Sequence, residues 1–125
     1  VVCAVPLLDM LRYHQLLAGA SWMAEYGNPD VPEARAWLAA YSPSQNVRDA
    51  VDYPPAFLTT STRDDRVHPG HARKMAAKML AAGHEVVYYE NTEGGHSAAA
   101  NLNQTARRDA LVVTFLMQAL MDGNA

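Results

Sequence analysis

Cysteine is nearly missing from this 125-residue sequence: there is one, Cys3. A single thiol excludes an internal disulfide and says little about compartment. Its place inside the apolar run 1–5 reads as a small buried hydrophobe and not as a reactive group. Long apolar runs are missing too. None reaches the ~18 residues of a membrane span, so no membrane partner is expected. There is no basic n-region and no initiating Met, so no signal peptide is visible. The compartment stays open between cytoplasm and periplasm. Charge of one sign is scarce as well. The formal net charge is -3, acids and bases are interspersed, and no basic stripe is present, which argues against nucleic acid as a partner. No repeat, low-complexity tract or long linker divides the chain.

Half of the residues are apolar and 18% are charged, the balance of a globular chain that buries a core. The length allows one domain at most, or part of one. Val1, Val2, Cys3, Ala4 and Val5 form an uninterrupted apolar run closed by Pro6. Such a run suits a parallel strand covered on both faces. A natural terminus seldom opens inside a sheet, so the expectation is a piece of a longer chain.

Residues 9–17 read as a short helix or loop-helix. Asn28, Pro29 and Asp30 mark a turn, and Pro32 suits the first turn of a helix over 33–40. Residues 44–53 read as polar and irregular. A buried strand follows at 56–60, then a helix from Gly70 to about Ala82, with Gly83 where a helix-ending glycine is expected. A third strand lies at 85–89. A last helix starts between Asn101 and Asp109; Leu111, Val112, Phe115, Leu116, Ala119 and Leu120 repeat at helical spacing, and Gly123 ends it. Strands alternating with helices predict an α/β fold with a mainly parallel sheet.

The chemistry collects after the second and third strands. Arg63-Asp64-Asp65-Arg66 follows one, and Glu93-Gly94-Gly95-His96 follows the other. The carboxyl edge of an open parallel sheet is where such folds gather reactive groups. An acid followed by a histidine on the next strand fits the chain order Ser, Asp, His of α/β-hydrolases. In such a triad the histidine is the base and the carboxylate orients it. The two glycines would let the loop bend sharply and carry the ring over the sheet edge. Asp64 and Asp65 are adjacent with diverging side chains, so only one can face the imidazole, and spacing leaves the choice open. The nucleophile is not visible. None of Ser21, Ser42, Ser44, Ser61 and Ser97 lies in Gly-x-Ser-x-Gly, and Ser97 sits directly beside His96. The serine is expected before Val1.

Several blocks in order carry a resemblance: Asp9-Met10-Leu11-Arg12-Tyr13-His14, Ser21-Trp22-Met23-Ala24-Glu25-Tyr26-Gly27, Tyr41-Ser42-Pro43-Ser44-Gln45-Asn46-Val47, Asp64-Asp65-Arg66-Val67-His68-Pro69 and Gly94-Gly95-His96. Together they resemble the prolyl oligopeptidase family of serine peptidases over nearly the whole chain. The resemblance implies that residues 1–125 are the C-terminal portion of an α/β-hydrolase catalytic domain, lacking the nucleophile elbow and the family's β-propeller. It implies Asp64 as the triad acid, His96 as the base and Arg66 as a contact to the substrate backbone. It implies Trp22 stacked on a substrate proline, with Tyr26 and Val67 lining that pocket. Hydrolysis after proline in short peptides follows, with no cofactor.

Other readings stand beside this one. The piece alone is expected to be inactive, and it could act as an assembly module that self-associates through an exposed strand edge. Another α/β-hydrolase, an acylaminoacyl peptidase or an esterase, would carry similar machinery. His68 and His71 have a spacing that can chelate a metal, but no further ligands cluster nearby, so none is expected. Trp37 reads as core packing, His14 as surface or helix packing, and His84 as exposed.

Overall fold

The computed structural model describes residues 1–96 and 102–121. Three parallel strands form one sheet in the order β1-β2-β3. They are β1 (Val2–Ala4), β2 (Ala56–Ser61) and β3 (Val86–Asn91). β2 lies in the middle and all six of its residues are buried. Its sequence, Ala-Phe-Leu-Thr-Thr-Ser, therefore has no polar face to offer water. The hydroxyl residues come last, at the end where the chain leaves for its loop. In register, Cys3 lies opposite Leu58, and Ser61 lies opposite Asn91.

Helices cover both faces of β2, as a central parallel strand requires. The ring of Phe57 meets Phe115 of α5 (Leu102–Leu120) with centroids 5.5 Å apart. On the other face, Leu58 shares an apolar cavity with Met75 and Met79 of α4 (Gly70–Ala81). Gly83 closes α4 at φ +82, the left-handed conformation expected of it. The α/β prediction with a parallel sheet holds.

Between β1 and β2 the chain builds a small helical layer. It contains α1 (Met23–Tyr26), α2 (Pro32–Tyr41) and α3 (Pro43–Asn46). Met10, Tyr13, Ala34 and Leu38 form its buried centre, with Trp22, Met23 and Tyr26 packed around them. Ser42 is fully buried among them. Its hydroxyl accepts from the Met10 N–H at 2.9 Å and faces the Leu8 carbonyl at 3.3 Å. That stitch fixes the strand-exit loop against the end of α2.

Three local expectations differ from the structure. Of the two forms expected for 9–17, a short helix or a loop-helix, the structure shows a turn leading into two 3-10 segments, Tyr13–Gln15 and Leu17–Trp22, the second running beyond residue 17. Buried Gly19 lies so close to the Tyr13 carbonyl that a side chain there would collide with it. The stretch 44–53 is not wholly irregular, because Pro43 starts the short α3. Trp37 is not a core residue. It is 53% exposed, with its indole N–H 3.4 Å from the Tyr26 carbonyl and its ring over Gly27. Ser97, Asn101 and Gly123 lie outside the described residues. No described helix is long and apolar enough to cross a membrane.

Candidate active site

β2 ends at Ser61, and the chain turns at once. The turn is built by a side chain. One Asp64 carboxylate oxygen accepts both the Arg66 and the Val67 N–H groups, each at 2.9 Å. An aspartate that caps its own loop in this way fixes its direction without help from solvent. The carboxylate is fully buried. Its two oxygens stand 3.1 and 3.0 Å from His96 Nδ1. A carboxylate only accepts, so Nδ1 carries the hydrogen and Nε2 keeps the lone pair. Asp65 is exposed. Of the two adjacent acids, the structure brings Asp64 to the imidazole.

The loop bearing His96 is shaped by the residue that closes β3. Asn91 Oδ1 accepts the N–H groups of Glu93 at 3.0 Å and Gly94 at 3.3 Å. The Asn91 carbonyl accepts the Thr62 N–H at 2.8 Å, which ties this loop to the one bearing Asp64. The expectation that the two glycines make the bend needs correcting at Gly95. A Cβ there would stand 3.6 Å from the Arg63 carbonyl, an ordinary contact. The bend comes from an asparagine whose importance the motif did not signal.

A second group was missed from sequence. Glu90, one residue before Asn91, is held by three partners. Arg73 of α4 reaches it with Nε at 3.0 Å and with a second guanidinium nitrogen at 2.5 Å. Thr62 and Tyr88 donate their hydroxyls at 2.5 Å each. Thr62 lies two residues before Asp64, so this cluster pins the acid loop to β3 and α4. Only the alternation of Tyr88 and Glu90 on one strand face could have hinted at it.

The cluster titrates far from neutrality. The hydrogen bond from Arg73 lowers the Glu90 carboxyl to about 2, with burial opposing it. Burial, then the hydrogen bond to Glu90, pushes Tyr88 up to about 12. The same pairing raises Arg73. A depressed acid stabilises the fold above its unfolded value, ~4.3, and that contribution is lost as pH falls toward about 2. Arg73 is half exposed, so water screens the pair and the effect is about 1 kcal/mol. In the full-length protein carrying this segment, Glu90→Gln is expected to be less stable than the parent above pH ~4.5. The gap should close as pH approaches 2. Denaturant midpoints measured across that range check it, and a pH-independent gap would show that the charge of Glu90 is not involved.

The remaining candidate residues fall into two places. Arg66 and Val67 lie in the acid loop itself, Arg66 exposed and Val67 buried. Trp22 and Tyr26 lie on the helical layer, where the Tyr26 ring meets buried Tyr13 edge-on at 5.8 Å. The Tyr13 hydroxyl donates to the Gly27 carbonyl at 2.6 Å and so holds the end of that block. The Ala18 N–H, in the 3-10 segment ending at Trp22, donates to the Arg66 carbonyl at 3.3 Å. This bond joins the aromatic block to the acid loop. A cavity of about 380 Å³ lies elsewhere, between β1, β2 and α4, and none of the candidate residues lines it.

Among the described residues no serine hydrogen-bonds to His96. Ser42 and Ser61 are buried, and the Ser21 hydroxyl donates to the Ala18 carbonyl at 2.6 Å. Cys3 sits in β1, half-buried, as a strand residue. An acid and a base are present here without a described nucleophile.

Comparison with known proteins finds relatives along nearly the whole chain. Over 122 residues the chain is 56% identical to the uncharacterized peptidase y4nA of Sinorhizobium fredii, covering 98% of this chain and 17% of that protein. A solved structure from a study of two prolyl endopeptidases superposes with a TM-score of 0.92 at 38% identity, over 96% of this chain and 18% of that one. A post-proline cleaving enzyme from Rickettsia typhi superposes at 0.90 with 34% identity, over 96% and 18%. The chain thus spans about 17% of the length of the curated relative it matches. Its parallel sheet and flanking helices correspond to the α/β-hydrolase part of prolyl endopeptidases. The sequence pattern of the prolyl oligopeptidase family runs through residues 1–123, and the chain belongs to that family of serine peptidases.

Proposed function

We propose that residues 1–125 are the C-terminal part of a peptidase catalytic domain, and that they supply the acid and the base of its Ser-His-Asp triad. The reaction is hydrolysis of the peptide bond after proline in short peptides. The observation that carries this reading is the contact of His96 Nδ1 with buried Asp64 at 3.0 Å. It leaves Nε2 as the free base, the nitrogen that takes a proton from an attacking hydroxyl. The serine comes from the part of the longer protein not included here. Relatives about six times as long support that, as does β1, which lies at the edge of the sheet with one side unpaired among the described residues. The piece by itself is inactive, because it lacks the nucleophile.

In this reading the serine attacks the scissile carbonyl while His96 takes its proton. His96 then returns the proton to the leaving amine. Asp64 holds the ring in the right tautomer and stabilises its cation. Arg66, exposed beside the acid, hydrogen-bonds the substrate backbone. Trp22 offers a flat apolar face to the pyrrolidine ring, with Tyr26 and Val67 beside it.

Kinetics of the full-length enzyme test the substrate. A proline anilide should be cleaved far faster than a simple ester. Trp22→Ala should raise KM for the anilide about tenfold, the loss of one stacking contact of roughly 1.5 kcal/mol, with a smaller change in kcat. An enzyme that prefers the ester, or a Trp22→Ala variant equally impaired on both substrates, would point to an esterase or acylaminoacyl peptidase instead.

A further inference from the structure

Away from Asp64 and His96, the turn that opens α4 and the chain around Tyr13–Gln15 enclose a separate cavity of about 170 Å³. Asp9, Arg12, Leu16, His68, His71 and Lys74 line it. His71 is 2% exposed. Its Nδ1 accepts the Asp9 N–H at 3.1 Å, so its hydrogen sits on Nε2. No described residue accepts from that nitrogen. His68 repeats the pattern: Nδ1 accepts the Gly70 N–H at 2.9 Å, which leaves Nε2 as its donor. Burial holds the proton affinity of His71 below the usual histidine range, against the pull of Asp9, so the ring is a neutral donor at pH 7.

Two cations complete the lining. The side chains of Arg12 and Lys74 make no ion pair among the described residues. Asp9 is the one acid in the wall, and it is partly occupied. One of its oxygens accepts from the Leu11 N–H at 3.3 Å and from the Gln45 amide at 3.0 Å. Two cations against one carboxylate leave the lining net positive. A metal does not fit, because both histidine Nδ1 atoms are engaged and no metal-holding group of His, Cys, Asp and Glu exists among the described residues. Fixed N–H donors beside flexible cations are instead the complement of an oxyanion.

We propose that this cavity binds one phosphate-type oxyanion, held by Nε2–H of His71 and of His68 and by the side chains of Arg12 and Lys74. The site is distinct from the peptidase reading and stands without it. Arg12 precedes Tyr13, and His68 follows the Asp64 turn by one residue after Val67. An ion here would therefore bridge the helical layer to the start of α4.

The test is a calorimetric titration of the full-length protein with inorganic phosphate, at ionic strength held constant with chloride. Arg12 and Lys74 are both exposed, so the double variant R12Q/K74Q should keep the fold. Saturable binding that weakens at least tenfold in R12Q/K74Q and returns on Lys74→Arg alone is the expected result. Displacement of the phosphate by O-phosphoserine would identify a phosphorylated ligand as the natural occupant, and no displacement would identify the free ion. Absence of saturable binding, or equal binding by R12Q/K74Q, overturns the proposal. The readout is heat of binding, so the result does not depend on whether the protein cleaves peptides.

Discussion

Replacing Asp64 by Asn in the full-length enzyme is expected to lower turnover by about 10⁴-fold while the protein stays folded. The reason lies in the hydrogen bonds around that carboxylate. Asparagine keeps one oxygen, which can still accept the Arg66 and Val67 N–H groups and hold the turn. Its other terminus is an amide that donates. Facing His96 Nδ1 at 3.0 Å, that amide requires an acceptor there, so the ring hydrogen moves to Nε2. The nitrogen needed as a base is then blocked. In the proposed mechanism His96→Ala removes the base altogether, and a serine-directed acylating probe should no longer label the variant. Both tests read the same site in different ways. Wild-type labelling of His96→Ala, or near-normal turnover of Asp64→Asn, would remove the pair from the mechanism and leave its contact as a structural ion pair.

Gly19→Ala should cost more stability than alanine at Gly27, Gly70, Gly83 or Gly95. A Cβ at Gly19 would stand 1.7 Å from the Tyr13 carbonyl oxygen and 2.6 Å from its carbon. The obstacle is backbone, and that oxygen already accepts the Leu16 N–H at 3.1 Å. Neither side can retreat without opening the 3-10 segment that leads to Trp22. The expected cost is about 3 kcal/mol or more, at the upper end for overpacking. Gly83→Ala is the control. Its φ of +82 is strained for alanine, but no atom lies within 4 Å of the added Cβ, so only about 1 kcal/mol is expected. Denaturant midpoints of the two full-length variants separate collision from backbone strain. Similar midpoints would mean that the chain does not pass this close to Tyr13.

These two sites differ in how readily the sequence discloses them. β2 was legible because a short apolar run between Pro55 and a polar turn suits a covered strand, and Asp64 stands three residues beyond its end. Likewise Pro32 and Gly83 fixed a helix start and a helix end through backbone rules that need no tertiary partner. Gly19 was opaque, since its neighbour Tyr13 is brought against it only by the folded turn. The roles of Asn91 and Glu90 were hidden for a similar reason. Besides nearer partners, each also reaches Thr62, 28 to 29 positions away, Glu90 through the Thr62 hydroxyl and Asn91 through the Thr62 N–H. Trp37 misled in the opposite direction: its alanine-rich helix suggested burial, yet its ring lies over Gly27 at the surface. The two oxyanion-cavity histidines were visible as a pair, and the absence of further ligands nearby set a metal aside without naming another use for them. Only the engaged Nδ1 atoms show which chemistry they can offer.

The ladder between β2 and β3 sets Ser61 beside Asn91, so the loops bearing Asp64 and His96 leave neighbouring strands at the same rung. The roots of the two loops are thereby held at the spacing of neighbouring strands, ~4.8 Å, and beyond that rung Glu90, through Thr62 and Arg73 of α4, holds the loop bearing Asp64. In the proposed mechanism, alignment for proton transfer becomes a property of the scaffold. On warming, such an alignment survives until the central rungs part, so catalytic competence and sheet integrity should vanish together.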